Sequence, residues 1–382
     1  MSAFQCVGGA CEETCCADFR VDIDKPTFEK YAAVQDPALG QTLKAFVQKR
    51  SDRSIEAFAE IVMTPSGECP FLDAHRLCAI QGALGEAALS HTCRSFPRAR
   101  WTRDGAEYLG GKLSCPEAAR LCVSAPDAMD FPAGQPTLAA STAGGAVHVA
   151  VESALRDGDL PAWKGILFAI LVSDRCLPDE VAAAASGEAE LSVVRDFAAQ
   201  TRRELSEATF ALGDQTLLQL KLLIEIALAA SAKCNAARNR FPHIVQTALG
   251  AIFAGADDFD GAVANYRRLY RDRFVPFDGA HDHALRNYLL NYVFTNQTFL
   301  SGPALPQAQN LAVRYGIMRL LLVGLSGVRT EGLTIADYGA VVSAASRILD
   351  HDATISPEIC RVLDAIEPRS VSLAARMAIP PL

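Results

Sequence analysis

The sequence predicts a mainly α protein in which a cysteine-rich, metal-binding N-terminal unit with a small β-hairpin is followed by an all-α helical domain. Three observations carry that expectation. Eight of the twelve cysteines fall before residue 116. The stretch FPAGQPTLAASTAGGA, rich in Pro, Gly, Ala, Ser and Thr, divides the chain. Beyond it, apolar residues recur at helical spacing in one segment after another. The boundaries drawn from these are 1–125 for the cysteine-rich metal or iron-sulfur domain, 126–146 for a linker or crossing segment, and 147–382 for the helical domain.

In the first region KPTFEKYAA and DPALGQTLKAFVQKR read as helices, while IEAFAEIVM fits either a short strand or a helix. In CPFLDAHRLCAIQGALG, Leu77, Ile80, Ala83 and Leu84 recur at helical spacing and Gly85 supplies the stop. ARWTRDGAEYLGGKLSC alternates around Asp104-Gly105, a dipeptide suited to a tight hairpin turn. Ser114 and Glu117 make a capping box around Pro116, which places Cys115 at a helix N-terminus, where the dipole favours a thiolate. In the second region Leu191, Val194, Phe197, Ala198, Thr201 and Leu205 share one helical face, as do Leu285, Tyr288, Leu289, Tyr292 and Val293. LLQLKLLIEIALAASA, apolar on most sides, reads as a central helix.

With 382 residues, half of them hydrophobic, the chain can bury a core without disulfide staples. A net charge of -8 argues against nucleic acid as the main partner. No apolar run approaches the roughly 18 to 20 residues of a membrane span. The N-terminus MSAFQCVGG lacks the basic and apolar regions of a secretory signal, so a reducing cytoplasm is expected and the thiols are free for metal.

The front-loaded thiols are Cys6, Cys11, Cys15, Cys16, Cys69, Cys78, Cys93 and Cys115, from which four ligands are expected. Adjacent Cys15 and Cys16 point apart on most backbones and so suit a cluster better than one ion. A 4Fe-4S cluster held by four thiolates is negative and attracts donors. Arg94 and Arg98, with Arg100 and Arg103, stand close behind Cys93 and can supply them, or can form a solvated face of the hairpin. Zinc is the alternative, although paired CxxC knuckles and histidines at finger spacing are absent. Cys122, Cys176, Cys234 and Cys360 sit singly in helix-like apolar segments and read as packing residues.

CVGGACEETCCADFRVDIDK (6–25), CPFLDAHRLCAIQGALGEAALSHTCRSFPR (69–98) and LSCPEAARLCV (113–123) together resemble the flagellin lysine-N-methylase family, whose N-terminal cysteine-rich domain is described broadly as zinc- or iron-chelating. RNYLLNYVFTN (286–296) and SRILDHD (346–352) are similar to its C-terminal helical motifs. The resemblance implies methyl transfer from S-adenosylmethionine to lysines of flagellin, with an iron-sulfur centre on the N-terminal cysteines. Two departures bear on mechanism. Cys11-x3-Cys15 is followed directly by Cys16, unlike the CxxxCxxC of radical S-adenosylmethionine enzymes. STAGGAV (141–147) follows no strong strand, so a Rossmann-type cofactor pocket is not expected.

Transfer to lysine needs a neutral amine and a group that takes or orders its proton. Tyr288 and Tyr292 are the catalytic candidates, with Asn287 and Asn291 as polar partners, although their i, i+4 spacing by itself favours two core residues. His351 reads as a helix-end residue. The competing reading is a non-catalytic metal-binding interaction protein whose helical domain docks a partner, and a redox-sensing cluster protein is a third.

Overall fold

The computed structural model describes residues 4–17, 19–103, 106–130, 140–177, 182, 184–209, 215–234, 239–300 and 303–381. Helix dominates, and strand is confined to two small antiparallel sheets among these residues. The chain groups into two compact units, Met1–Ala99 with Cys115–Glu117 and Arg100–Ser114 with Ala118–Leu382.

The first unit is built on a three-stranded sheet of order β1-β3-β2, from β1 (Asp22–Ile23), β2 (Val47–Lys49) and β3 (Ala59–Ile61). IEAFAEIVM thus resolves as strand. Two capped helices pack here, α1 (Lys25–Ala32) and α2 (Pro37–Phe46). Asp24 and Asp36 each accept a backbone N–H from the first turn, and Pro26 and Pro37 sit where no N–H is needed. VQK, read as the end of α2, leaves the helix because Val47, Gln48 and Lys49 pair with β3. Ile23, Tyr31, Leu43, Ala59, Phe71 and Ile80 form the core. Helix α3 (Ala79–Leu84) ends as expected at Gly85, which takes φ +81. α4 (His91–Ser95) follows.

The predicted hairpin is present as β4 (Arg98–Arg103) and β5 (Ala106–Gly111); its Asp104-Gly105 turn lies outside the described residues. Trp101 stacks on Tyr108 at 4.1 Å. α5 (Pro116–Ser124) starts one residue later than the capping box requires, and the Ser114 hydroxyl bonds His351 Nε2 at 2.7 Å.

In the helical unit α6 (Ala143–Arg156), α7 (Ala162–Cys176) and α8 (Glu188–Glu207) pack on one another. α6 starts within the segment read as a linker, with Thr142 capping Gly145 N–H. Then come α9 (Thr216–Ala232), α10 (Phe241–Ile252), α11 (Phe259–Leu269), a π-helical turn (Tyr270–Phe274), α12 (Val275–Asp278) and α13 (His283–Thr295). The last four are α14 (Leu305–Ser326), α15 (Ile335–Leu349), α16 (Ile355–Ile366) and α17 (Val371–Ala378). The expected central helix, α9, instead keeps a solvent stripe at Lys221, Glu225 and Leu228. The centre is α14, buried almost end to end and packed by α7, α10 and α17. A Cβ at Gly324 would stand 2.5 Å from the Ala248 carbonyl oxygen, so glycine permits the close approach of α14 and α10.

Candidate functional site

Backbone pairing in the first unit gathers cysteines distant in sequence. Ala17 bridges Glu68 and Cys69 N–H donates to the Cys16 carbonyl, setting the first cysteine run against the second. Within the second, Leu72 pairs with Cys78 across a turn held by Asp73, whose carboxylate accepts His75 and Leu77 N–H. Arg76 takes a positive φ in that turn. A Cβ on Gly9 would come within 2.7 Å of the His75 carbonyl oxygen, so the glycines of CVGGAC let the first loop lie on it. Cys93 stands on α4 with its N–H on the capping Ser90 hydroxyl.

The thiols feel one another. A hydrogen bond with Cys15, then burial, then the fields of Cys15, Cys69 and Cys93 push Cys16 far up. Burial raises Cys69 to about 11 against a Phe71 backbone bond, with further increments from Cys93, Cys78 and Cys15. Cys93 is raised by crowding and by Cys78 and Cys15, against its Ser90 bond. Cys11 is raised by burial, then by Cys15 and Cys6 against its bond to Glu13. Cys15, Cys69, Cys78 and Cys93 therefore share one neighbourhood, with Cys16 beside it and Cys6 and Cys11 on its Cys15 side. Cys115 is buried just before α5. Among the described residues no three His, Cys, Asp or Glu side chains converge tightly enough for a single metal ion. Four sulfurs around one zinc would have to stand about 3.8 Å apart. A cluster spreads its thiolates over separate irons.

Arg94 lies exposed on α4, and the Arg98 guanidinium covers the Phe4 ring at 5.2 Å. Of the cysteines read as packing residues, Cys122 is buried and its thiol is raised to about 12 by burial. Cys360 accepts the Asn310 side-chain N–H at 3.3 Å.

In the helical unit three buried arginines, not singled out from the sequence, close the C-terminal ends of other helices, where carbonyls lack partners. Arg286 donates to the Leu155 carbonyl in the last turn of α6 and to the Asp157 and Leu160 carbonyls beyond it. Arg314 reaches the Leu349 carbonyl at 2.6 Å and the Asp350 carboxylate at 2.7 Å at the end of α15. Arg319 donates to the carbonyls of Met377, Ala378 and Ile379 at the end of α17. Asn287 does the same for α5, donating to the carbonyls of Cys122 and Ala125.

Tyr288 and Tyr292 are both buried on α13, and Arg314 lies over the Tyr292 ring at 4.6 Å. Burial raises both phenols, with Arg314 opposing. At neutral pH they are proton donors rather than bases. His351, past the end of α15, is lowered chiefly by burial, with Asp350 opposing, and so stays neutral.

No sequence pattern marks out Asp278. The Tyr338 hydroxyl donates to its carboxylate at 2.8 Å, Phe277 lies 5.6 Å from the Tyr338 ring, and Phe277 stacks on His281. Burial lifts Asp278 to about 6, the Tyr338 bond opposing. A carboxylate held by the Tyr338 hydroxyl and lifted by burial can take a proton from an amine brought to it.

Glu152 on α6 is a second displaced acid, raised to about 7 by burial with Arg156 opposing. It faces buried His148, whose Nδ1 contacts the Thr298 carbonyl, at 3.8 Å. Because the folded form holds the proton more tightly than the unfolded chain, stability falls as pH rises from about 4.5 through about 7. Glu152→Gln should raise stability at pH 8 by on the order of 2 kcal/mol, with no difference at pH 4. Urea titrations at the two pH values check this, and an equal effect at both would refute it.

The profile described as FliB lysine N-methylase C-terminal domain matches residues 155–375. A "Lysine-N-methylase" of Salmonella choleraesuis is 38% identical over 130 residues, 33% of this chain and 31% of that protein. Its namesake from Salmonella typhimurium is 37% identical over 133 residues, 34% and 32% of the two chains. A "Flagellar biosynthetic protein FliU" of Salmonella muenchen is 38% identical over 130 residues, 33% of this chain and 75% of that protein. The chain thus spans about a third of the length of the lysine-N-methylases it matches. No solved structure matches.

Proposed function

Because the chain belongs to the FliB lysine N-methylase family, we propose that it is a protein-lysine N-methyltransferase acting on flagellin, with S-adenosylmethionine as donor and an iron-sulfur centre in its first unit. The observation that carries the reading is the family match over more than half of the chain, which contains Asp278, Tyr338 and both buried tyrosines of α13. No described helix is long and apolar enough to cross a membrane.

Cys15, Cys69, Cys78 and Cys93 are the ligands that the gathered thiols favour, and Arg94 and Arg98 are held as nearby cations. Cys69 and Cys93, raised by burial and by neighbouring thiols, suit a cationic centre that replaces their protons. When bound, such a centre ties the chain segments of its ligands together and supplies one-electron chemistry. The two small antiparallel sheets offer no parallel-strand cofactor crevice among the described residues, in keeping with a donor pocket of another kind.

S-adenosylmethionine supplies a methyl group bound to a sulfonium, which a neutral lysine nitrogen accepts. The chain's part is to remove the ammonium proton and aim the lone pair. Asp278 takes that proton, and Tyr338 holds its carboxylate in place. Tyr288 and Tyr292 stay protonated phenols, and Arg314 over the Tyr292 ring ties α13 to the end of α15.

Flagellin incubated with the protein and S-adenosylmethionine should gain mass at surface lysines in steps of one methylene, each keeping the charge. Asp278→Asn should slow the transfer by about 100-fold or more while flagellin still binds. The native rate should rise with pH through about 6, where Asp278 ionises. An unmodified flagellin would move the protein to the interaction-module reading, and full activity in Asp278→Asn would place the base elsewhere. Retained activity after clean metal removal would make the cysteine unit a structural staple.

A further inference from the structure

An open cleft of about 440 Å³ lies between α10, the end of α11 and the π-helical turn, and the exit of α14. Its floor is small and apolar, with Gly250, Ala251 and Ala254 from α10 and the residues after it, and Gly327 from the end of α14. Its charged wall carries Arg268 and Arg273.

Chain geometry accounts for that pair. In a regular α-helix residues five apart point about 140° away from each other. Here the Val275 N–H reaches back five residues to the Tyr270 carbonyl, making a π-turn. Pro276 explains it, because proline lacks the N–H an α-helical turn would use and its ring crowds the carbonyl four residues back. The wider turn carries positions 268 and 273 onto one wall.

The two guanidiniums make no contact ion pair among the described residues, although Asp272 lies within the field of Arg268. Arg268 Nη2 donates to Asn265 Oδ1 at 3.5 Å, and Arg273 donates to the Arg329 carbonyl. Neither lies within ion-pair distance of a carboxylate among the described residues. Most other arginines at this end have one: Arg271 pairs with Asp272 at 2.7 Å and Arg329 with Asp337 at 2.6 Å. Two cations on one wall of a cleft of small-molecule size, above an apolar floor, make a receptor for an anion with an apolar body.

We propose that this cleft binds a small molecule through a carboxylate or phosphate head held by Arg268 and Arg273, with its body on the floor formed by Gly250, Ala251 and Gly327. The site stands independently of the metal centre and of Asp278, neither of which lines it.

Isothermal titration calorimetry of the full chain with three probes sharing one body tests this: S-adenosylhomocysteine with a carboxylate head, adenosine 5′-monophosphate with a phosphate head, and adenosine with neither. At least one headed probe should bind 10-fold or more tighter than adenosine, and which one identifies the head. Arg268→Gln and Arg273→Gln should each weaken that binding at least 10-fold. Gly250→Leu should abolish it without touching a charge, because a Cβ there meets nothing within 4 Å and its longer side chain projects into the cleft. Leucine also favours the helix more than glycine, so circular dichroism should show this variant folded. Equal binding of adenosine, no binding of either headed probe, or binding that survives Gly250→Leu or both arginine substitutions would overturn the proposal. Flagellin methylation that persists in Gly250→Leu would leave the enzyme reading intact while separating it from this cleft.

Discussion

Serine at Cys69, Cys78 or Cys93 is expected to strip the metal from the anaerobically purified protein and to unfold the first unit. The effect is large because metal binding to a site absent from the unfolded chain is folding free energy, about 10 kcal/mol or more for structural thiolate sites. The three cysteines sit on different segments, with Cys69 beside Cys16, Cys78 across a turn from Leu72, and Cys93 on α4. Losing one ligand therefore releases a segment as well as a bond. The native protein should be brown and yield iron with acid-labile sulfide. Cys234→Ser and Cys360→Ser should keep both, since these thiols contact helix-unit groups, the Ala230 carbonyl and the Asn310 amide. A colourless protein with stoichiometric zinc would defeat the cluster assignment. Equal metal loss in both sets would defeat the ligand assignment.

Arg319→Met should cost about 3 kcal/mol or more of helical-unit stability, despite replacing a charge with an apolar side chain of similar length. The guanidinium is fully buried and donates to three carbonyls at the end of α17. Gln219 also donates to the carbonyls of Arg376, Met377 and Ile379, but among the described residues only Arg319 donates to the Ala378 carbonyl. Methionine leaves that carbonyl buried without a donor and loosens α17 from α14. Urea unfolding followed by tryptophan fluorescence reads this directly, since Trp101 and Trp163 both belong to the helical unit. Arg361→Met, which removes an exposed pair with Glu358, should leave the midpoint unchanged. A similar response to both substitutions would remove the capping role from Arg319.

Local pattern carried much of this architecture. The proline-led turns behind Asp24 and Asp36, the stop at Gly85 and the alternation on either side of Asp104-Gly105 are short-range signals, and helices or strands stand where they point. The family resemblance in the cysteine blocks and C-terminal motifs likewise lay in the chain, as did the choice of Tyr288 and Tyr292 as residues of one buried helical face.

Tertiary structure decided what depends on partners far along the chain. α14 did not read as the central helix because Arg314 and Arg319 break its apolar pattern, and their burial is tolerable only where the ends of α15 and α17 present carbonyls. VQK became a strand because β3 offered it backbone partners. Asp278 looks like any surface acid until Tyr338, 60 residues on, donates to it. Spacing alone nominated eight thiols, whereas bridges between residues 17 and 68 and between 72 and 78 set the Cys15-Cys16 run against Cys69 and Cys69 against Cys78. Sequence periodicity records which face of an element is apolar; which polar groups end up buried together is fixed only when distant elements pack, because a buried charge persists only beside the partner that offsets its desolvation.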